Sequence, residues 1–580
     1  MSPVFKSPIS AHHQLFSDAL LMAKYHLDQG HSEDALALCR YALLAAPDLY
    51  PQAMGLLKQA AFESNMPSAV GETLSALPDT PPQTATDLRP WPVYPVLDLE
   101  GLKPLKGKLA ALPRISVITV SFNSARYIEE TILSVRNQGY PNLEHILIDG
   151  GSTDGTLEIV ERHRDHFAKI VVEPDKGQAD ALTKGFRLAT GELVTWLNSD
   201  DLFMPGALMA LAACFVTTGA EVVAGVIEAF GEDMESRWHF SPYAKDRLDL
   251  ADITDIDGQW LESTFFYQPE VMFTRDLWRR AGGFIDTEIF YCVDWDLWAR
   301  FGALKARFAR TEKHIARYRV HKQQKTFQPN CYVPELRELA RLYGPEIRIV
   351  NGPEGTFFLP GDAKAAEWVE RLEKGEPAEV RATEFALSHA LAGTCAIDIG
   401  PGPGLLAVRL AGLVGEKGRV VAFDGHEHTH FLLKRTFAAH GLGQAKAVLG
   451  FPFEGPSRLL RFDPPPPTVI RSQGFGIARA YSEQWPVPTH GFEICEENGM
   501  RISFIRLDAA GLEALALQGM QSLLVRHQPS LLIKCDPAQL VLFGQSPETL
   551  VHLLTGIGYQ LAAINEDCYI QAKFHGGEIQ

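Results

Sequence analysis

Acidic and amide side chains in this chain gather where apolar runs end. Ile115-Ser116-Val117-Ile118-Thr119-Val120 opens into Ser121-Phe122-Asn123. His145-Ile146-Leu147-Ile148 ends in Asp149-Gly150-Gly151-Ser152-Thr153-Asp154, and the run from Glu192 to Leu197 ends in Asn198-Ser199-Asp200-Asp201. Oxygen ligands grouped in this way suit a polar, phosphate-bearing molecule held through a divalent cation. Farther on, Asp294-Trp295-Asp296 supplies carboxylates able to accept a proton, and Tyr318-Arg319-Val320-His321 supplies a cation and an imidazole. A second group is built differently: Asp398-Ile399-Gly400-Pro401-Gly402-Pro403-Gly404, followed by an acid, Asp424, at the end of the next apolar run. Its glycines allow a backbone to approach a ligand closely.

Strands must carry these residues. Three apolar runs delivering polar residues at their C-terminal ends are how an open α/β sheet builds a ligand crevice. Beyond Ile347 the pattern repeats, with strands expected at Cys395–Ile399, Val420–Phe423, Phe504–Leu507, Leu531–Cys535 and Tyr559–Ala563. Between them Phe451 to Pro488 reads as loop, since the Pro464–Pro467 run fits neither helix nor central strand. Residues 79–113 form a proline-rich linker. Residues 11–78 read as helices, in which Ala23, Gly30, Ala35, Ala42 and Pro47 fall at the spacing of one tetratricopeptide unit. That segment resembles a tetratricopeptide repeat, and because a lone unit leaves a face uncovered it is expected to meet a neighbouring element or a protein partner. A plain helical hairpin is the alternative.

At 580 residues the chain needs several domains. Its formal charge of −17 argues against nucleic acid or an anionic membrane surface as general partners. Eight cysteines without a CxxC pair argue against a disulfide framework or a zinc ribbon. No signal-like start or bilayer-length apolar run is evident, so the expected location is cytoplasmic, with a peripheral place at the inner membrane face as the variant.

The stretch 114–330 resembles a family 2 glycosyltransferase of the GT-A fold. Val-Ser-Phe-Asn, the Asp149 motif, Glu-Pro-Asp-Lys-Gly-Gln and Asn-Ser-Asp-Asp come in the family's order, followed by Gly282-Gly283-Phe284-Ile285-Asp286 and the Asp294 motif. The resemblance implies a nucleotide-sugar donor bound by Ser121, Asn123, Asp149, Ser152, Asp175, Lys176, Gln178, Asn198, Asp200, Asp201 and Arg319. It implies a Mn or Mg ion at Asp200, in the family's DxD place, with His321 as a second metal residue. Asn198 replaces the usual first Asp of that motif. Asp294 stands where the family has its general base, with Asp296 as the fallback or a helix cap. Asp154 is either a turn cap or a binding group, and Gln268-Pro269-Glu270 falls in the acceptor region. The acceptor implied is a glycan or lipid-linked precursor in surface polysaccharide biosynthesis, and transfer is expected to invert the anomeric centre.

The stretch 347–575 resembles the FkbM-type methyltransferases, which are class I Rossmann-like enzymes dependent on S-adenosylmethionine. Phe357-Phe358-Leu359-Pro360-Gly361-Asp362, the glycine loop, Ile505 to Leu515, Gln518-Gly519 and Gln528-Pro529-Ser530 carry the likeness. It implies that Asp398, Gly400, Gly402, Gly404, Asp424 and Asp508 hold S-adenosylmethionine, with Asp424 on the ribose hydroxyls. Ala510 and Lys534 stand where the family has acids, whereas His426, His428 and His430 form no recognisable metal set. The expectation is a multidomain α/β protein: a helical N-terminal segment, a transferase domain and a methyltransferase-like domain. Two other readings stay open, a degenerate methyltransferase fold used for docking and a non-enzymatic scaffold built on the helical repeat.

Overall fold

A computed structural model describes residues 112–574, apart from 232–233, 329, 345, 362, 377–379, 453–458, 461–486, 491–494, 496–498 and 565–568. The tetratricopeptide-like segment 11–78, nearly all of the linker 79–113 and most of the loop-like stretch after Phe451 lie outside the described residues. The chain divides into two compact units. The first holds the described residues up to Pro242, Phe266–Phe273 and those from Ala309 through the following loop; the second holds Tyr243–Phe265, Thr274–Phe308 and the described residues from Asn330 onward.

The first unit is a nine-stranded sheet in the order β3-β2-β1-β4-β8-β6-β9-β5, with β7 on β6. Its strands are β1 (Ile115–Ser121), β2 (Leu143–Asp149), β3 (Lys169–Val172), β4 (Leu193–Asn198), β5 (Leu202–Phe203), β6 (Val222–Gly231), β7 (Met234–Phe240), β8 (Met272–Thr274) and β9 (Phe308–Val320). Helices α1 (Ile128–Arg136), α2 (Thr156–Arg162), α3 (Gln178–Leu188) and α4 (Ala207–Thr218) connect them. Every residue of β1 is buried, as expected of a parallel strand covered on both faces. The register decides what the sheet presents. Ser121 pairs with Asp149, and Val120 with Asn198, so three strand ends finish in one row. The apolar runs before them supply the anchoring core.

In the second unit α5 (Val293–Ala303) and α6 (Val333–Tyr343) precede the hairpin of β10 (Ile347–Gly352) and β11 (Gly355–Pro360). Then come β12 (Cys395–Ile399), α7 (Leu405–Val414), β13 (Arg419–Asp424), α8 (Glu427–Ala439) and β14 (Ala445–Leu449). Short strands β15 (Phe451–Pro452), β16 (Leu459–Leu460) and β17 (Val487–His490) form a small separate sheet. The unit closes with β18 (Ile502–Leu507), β19 (Ser530–Lys534), β20 (Tyr559–Ile564) and β21 (Tyr569–Phe574). Its main sheet runs β14-β13-β12-β18-β19-β21-β20. The neighbours from β14 to β19 are parallel, and β21 is antiparallel to both β19 and β20. The five strands expected here all form, each at its expected place. No helix among the described residues is long and apolar enough to cross a membrane.

Candidate functional site

The row of strand ends in the first unit is tied together by hydrogen bonds between its polar residues. Asp149 is fully buried. Its Oδ1 accepts from the Gly151 and Ser152 N–H groups at 2.9 and 2.7 Å, and its Oδ2 from the Ser121 and Ser152 hydroxyls at 2.6 and 2.7 Å. Ser152 Oγ in turn accepts from the Asn123 N–H, while Asn123 Oδ1 accepts from the Thr153 N–H. Asn123 holds a left-handed φ of 51°, a conformation that an asparagine tolerates better than most residues. Asp154 caps the turn, accepting from the Ala125 N–H and from the Thr156 N–H and hydroxyl. Slight burial raises its pKa, and these hydrogen bonds outweigh that to leave it lowered. Asp175 accepts from the Gly177 N–H, and its carboxylate lies so close to Gly150 that a β-carbon there would meet it at 2.9 Å. The Lys176 N–H reaches Asp180 at 3.2 Å.

The end of β4 forms a second knot. Asn198 Oδ1 accepts from Gln178 Nε2 at 3.0 Å, and its amide donates to Gln268 Oε1 at 3.1 Å and to Asp201 at 3.3 Å. Asp201 is buried and also takes the Arg319 N–H at 2.9 Å. Burial, then the neighbouring Asp200 charge, holds its pKa well above the usual carboxylate range. Asp200 turns the other way. Its Oδ2 lies 2.9 Å from His321 Nε2, both side chains remaining partly exposed, at 27% and 14%. Arg319 braces the pair by donating to the Asp200 carbonyl and to Glu130, with its guanidinium 4.6 Å from the Tyr127 ring. A carboxylate and an imidazole at this spacing can both ligate one divalent cation, the remaining positions falling to diphosphate oxygens and water. Among the described residues no group of three protein ligands is assembled, so the phosphate oxygens would have to complete the set.

Gln268 and Glu270, expected from the sequence to fall in the acceptor region, are buried and engaged by the protein. Gln268 donates to the Trp196 carbonyl, and Glu270 accepts from the Tyr267 N–H. Burial pushes the Glu270 carboxyl up to about 7, against the opposing influence of the His239 imidazole 3.9 Å away.

In the second unit Asp294 and Asp296 share the first turn of α5 and part company at once. Asp294 is partly exposed, and its Oδ1 accepts from the adjacent Trp295 N–H. Asp296 is fully buried among Arg435 (2.5 Å), Tyr343 (2.7 Å) and Arg300 (3.0 Å). Burial raises its pKa, and the Arg435 and Arg300 charges outweigh that, so it stays an anion bound within the fold. The fallback role as base is closed to it.

The glycine loop follows β12. Gly400 has a φ of +73°, and a β-carbon there would run into the Asp508 carbonyl. Arg506 binds the neighbourhood together, donating to Asp398 at 3.1 Å, to the Gly400 carbonyl at 2.9 Å and to Asp508 at 3.1 Å. A β-carbon at Gly402 would press on the Trp368 ring at 3.3 Å, and Gly404 caps α7. Asp424 is fully buried; its Oδ1 accepts from the His426 N–H and the Thr429 hydroxyl, while Oδ2 has no partner among the described residues. Burial, aided by the Asp398 charge, pushes its carboxyl up to about 7. An orphaned buried oxygen beside a loop that only glycine can form fits a hydroxyl-bearing cofactor. Glu513, not singled out from the sequence, lies nearby and accepts from the Ala509 and Gly511 N–H groups; burial, then Asp508, pushes it up to about 8. Its place in the Ile505 to Leu515 run, two residues after Gly511, is the signal that could have found it.

A parallel sheet with acids at its strand ends and a curled antiparallel continuation defines a GT-A-like α/β domain. Residues 116–280 match the family Glycosyl transferase family 2, and it is to this family that this part of the chain is similar. An uncharacterized glycosyltransferase of Mycobacterium tuberculosis is 37% identical over 122 residues, covering 21% of this chain and 41% of that protein. Bacillus subtilis TuaG, a glycosyltransferase provisionally named for teichuronic acid biosynthesis, is 39% identical over 92 residues, 15% of this chain and 36% of its own. The chain thus spans well under two thirds of these relatives. Staphylococcus aureus TarS 1–349 in complex with UDP-GlcNAc aligns at 21% identity with a TM-score of 0.33, over 40% of this chain and 64% of that one.

Proposed function

We propose that the protein transfers a sugar, with inversion, from a nucleotide-sugar donor to a glycan or lipid-linked acceptor in surface polysaccharide biosynthesis. The observation that carries this reading is the Asp200–His321 pair at the end of β4, partly exposed and braced by Arg319. A divalent cation (Mn or Mg) held there would neutralise charge growing on the departing nucleoside diphosphate. Asn198, fixed by Gln178 and Gln268, keeps the turn in place without adding a charge. The Asp149 knot shapes the turn that would face the donor's base and ribose. Asp294, left partly open while Asp296 is consumed by its neighbours, is the proposed acceptor of the hydroxyl proton. A panel of UDP- and GDP-sugars, offered with Mn²⁺, Mg²⁺ or chelator and followed by mass detection of transfer, tests the reading. A retained anomeric configuration in the product would overturn the inverting part.

The stretch 347–575 within the second unit is proposed to be a class I methyltransferase fold that binds S-adenosylmethionine. Its support is the sheet order with one reversed strand, the glycine loop and the orphaned Asp424 oxygen. A docking module with a retained pocket is the second reading, favoured by Ala510 and by Lys534, whose ammonium lies 4.5 Å from the Tyr569 ring centroid. Titration of S-adenosylmethionine and S-adenosylhomocysteine into the full chain, followed by a search for methylated product, separates the two.

A further inference from the structure

Asp294 sits on a segment whose shape is set by residues far along the chain. Before α5, the backbone N–H groups of Phe290, Tyr291 and Cys292 all point at one carboxylate, Glu335 of α6, at 2.7, 2.6 and 2.8 Å. On either side of those amides stand Asp286 and Asp296. Both face the same cation, Arg435 of α8, at 3.4 and 2.5 Å. Arg435 is fully buried, its Nε donates to Tyr343 Oη at 3.1 Å, and its guanidinium lies 3.5 Å from the Phe431 ring centroid. Arg300 closes the arrangement from within α5, donating to the Ala281 and Phe284 carbonyls. A buried carboxylate such as Asp296 is tolerated only while its cations are in place, because an unpaired buried charge is strongly destabilising.

We propose that Arg435 and Glu335 are positioning residues for Asp294: they fix the turn from Asp286 to Asp296 so that the Asp294 carboxylate is held ready to take a proton. The stretch after residue 330 is then a working part of the transferase, not an appended second enzyme alone. This rests on the assignment of Asp294 as the base. Loss of the clamp should leave donor binding intact and lower the rate of the proton-accepting step, since a small misplacement of a catalytic group is costly.

The test uses the full-length protein. In Arg435→Met, and in the milder Glu335→Gln, hydrogen–deuterium exchange of peptides spanning residues 286–296 is compared with wild type. Turnover is measured with the UDP- and GDP-sugar panel, and binding with UDP and GDP in the presence of Mn²⁺. Expected are faster exchange confined to that segment, a fall in kcat of about a hundredfold for Arg435→Met and about tenfold for Glu335→Gln, and nucleotide affinity within about twofold of wild type. Unchanged exchange in a folded variant, unchanged kcat, or an equal loss of nucleotide binding would overturn the proposal. Should Arg435→Met fail to fold, Glu335→Gln decides alone. A wild-type protein that turns over none of the donors would instead remove the transferase reading, while the exchange comparison still decides whether the clamp holds the segment.

Discussion

Asp149 and Asp424 occupy equivalent places in two different sheets. Each is the last residue of a parallel strand lying beside its sheet's first strand, β2 beside β1 and β13 beside β12. Both are fully buried. Asp149 receives four donors from its own chain, two on each oxygen. Asp424 receives two, both on one oxygen. The same position therefore serves two ends. One acid is spent on building a turn, and the other keeps an oxygen without a partner among the described residues. Among the other acids of the two sites, Asp201 and Asp296 are buried with Asp149 in the fold, whereas Asp200 and Asp294 are partly exposed and stand with Asp424 as the acids proposed to meet ligands.

Changes at the second set should cost function and changes at the first should cost stability. The largest effect is expected for Asp294→Asn, which keeps the bond to the Trp295 N–H but removes proton acceptance. We expect kcat to fall by about 10²–10⁴-fold with the melting temperature unchanged, measured by product formation and calorimetry. A matching loss of stability would place Asp294 with Asp149, Asp201 and Asp296. Asp149→Ala, which strands three buried donors and one part-buried one, should lower unfolding free energy by about 3 kcal/mol or more in urea titrations. A stable variant would break the contrast. Asp200→Ala should weaken Mn²⁺-dependent binding of UDP or GDP by about tenfold or more, with partial rescue by excess metal. Binding indifferent to chelator in both proteins would show a metal-free donor site.

The smallest effect concerns pH. The folded pKa of Asp424, about 7, lies above that of an unfolded aspartate, so its contribution to stability is present at low pH and is lost as pH rises through about 7. Hydroxyls donating to Oδ2 would favour the ionised form. Affinity for S-adenosylhomocysteine should then fall by about tenfold per pH unit below about 7, with proton release on binding, and Asp424→Asn should flatten that dependence. A flat profile in wild type would mean that the orphaned oxygen does not meet the ligand.

The parallel halves of both sheets were legible because strands covered on both faces are nearly continuous apolar runs, and the acids mark their ends. The antiparallel continuation was not. Phe308–Val320 carries Arg310, Glu312, Lys313 and His314, so no apolar run marks it, although it is the strand that delivers Arg317 and Arg319. The strand-end acids could be listed, but their state could not. Whether Asp296 is free or consumed depends on Arg435, which lies 139 residues away along the chain. Nothing in the sequence marks Arg506 as a bridging residue, and only its three partners reveal that it joins β12 to β18.

The loop after β1 takes its form from groups far downstream: the Asn123 N–H is met by Ser152, 29 positions later, and the Asn123 side chain by Thr153. Until α1 has crossed over and β2 has docked in register, nothing holds Asn123 in its left-handed conformation. Order at this corner must therefore arise late in folding, because closing the crossover precedes the reward of the contact. This corner would be among the last parts of the first sheet to set, and refolding monitored at Asn123 should lag behind the burial of Trp196 in the core.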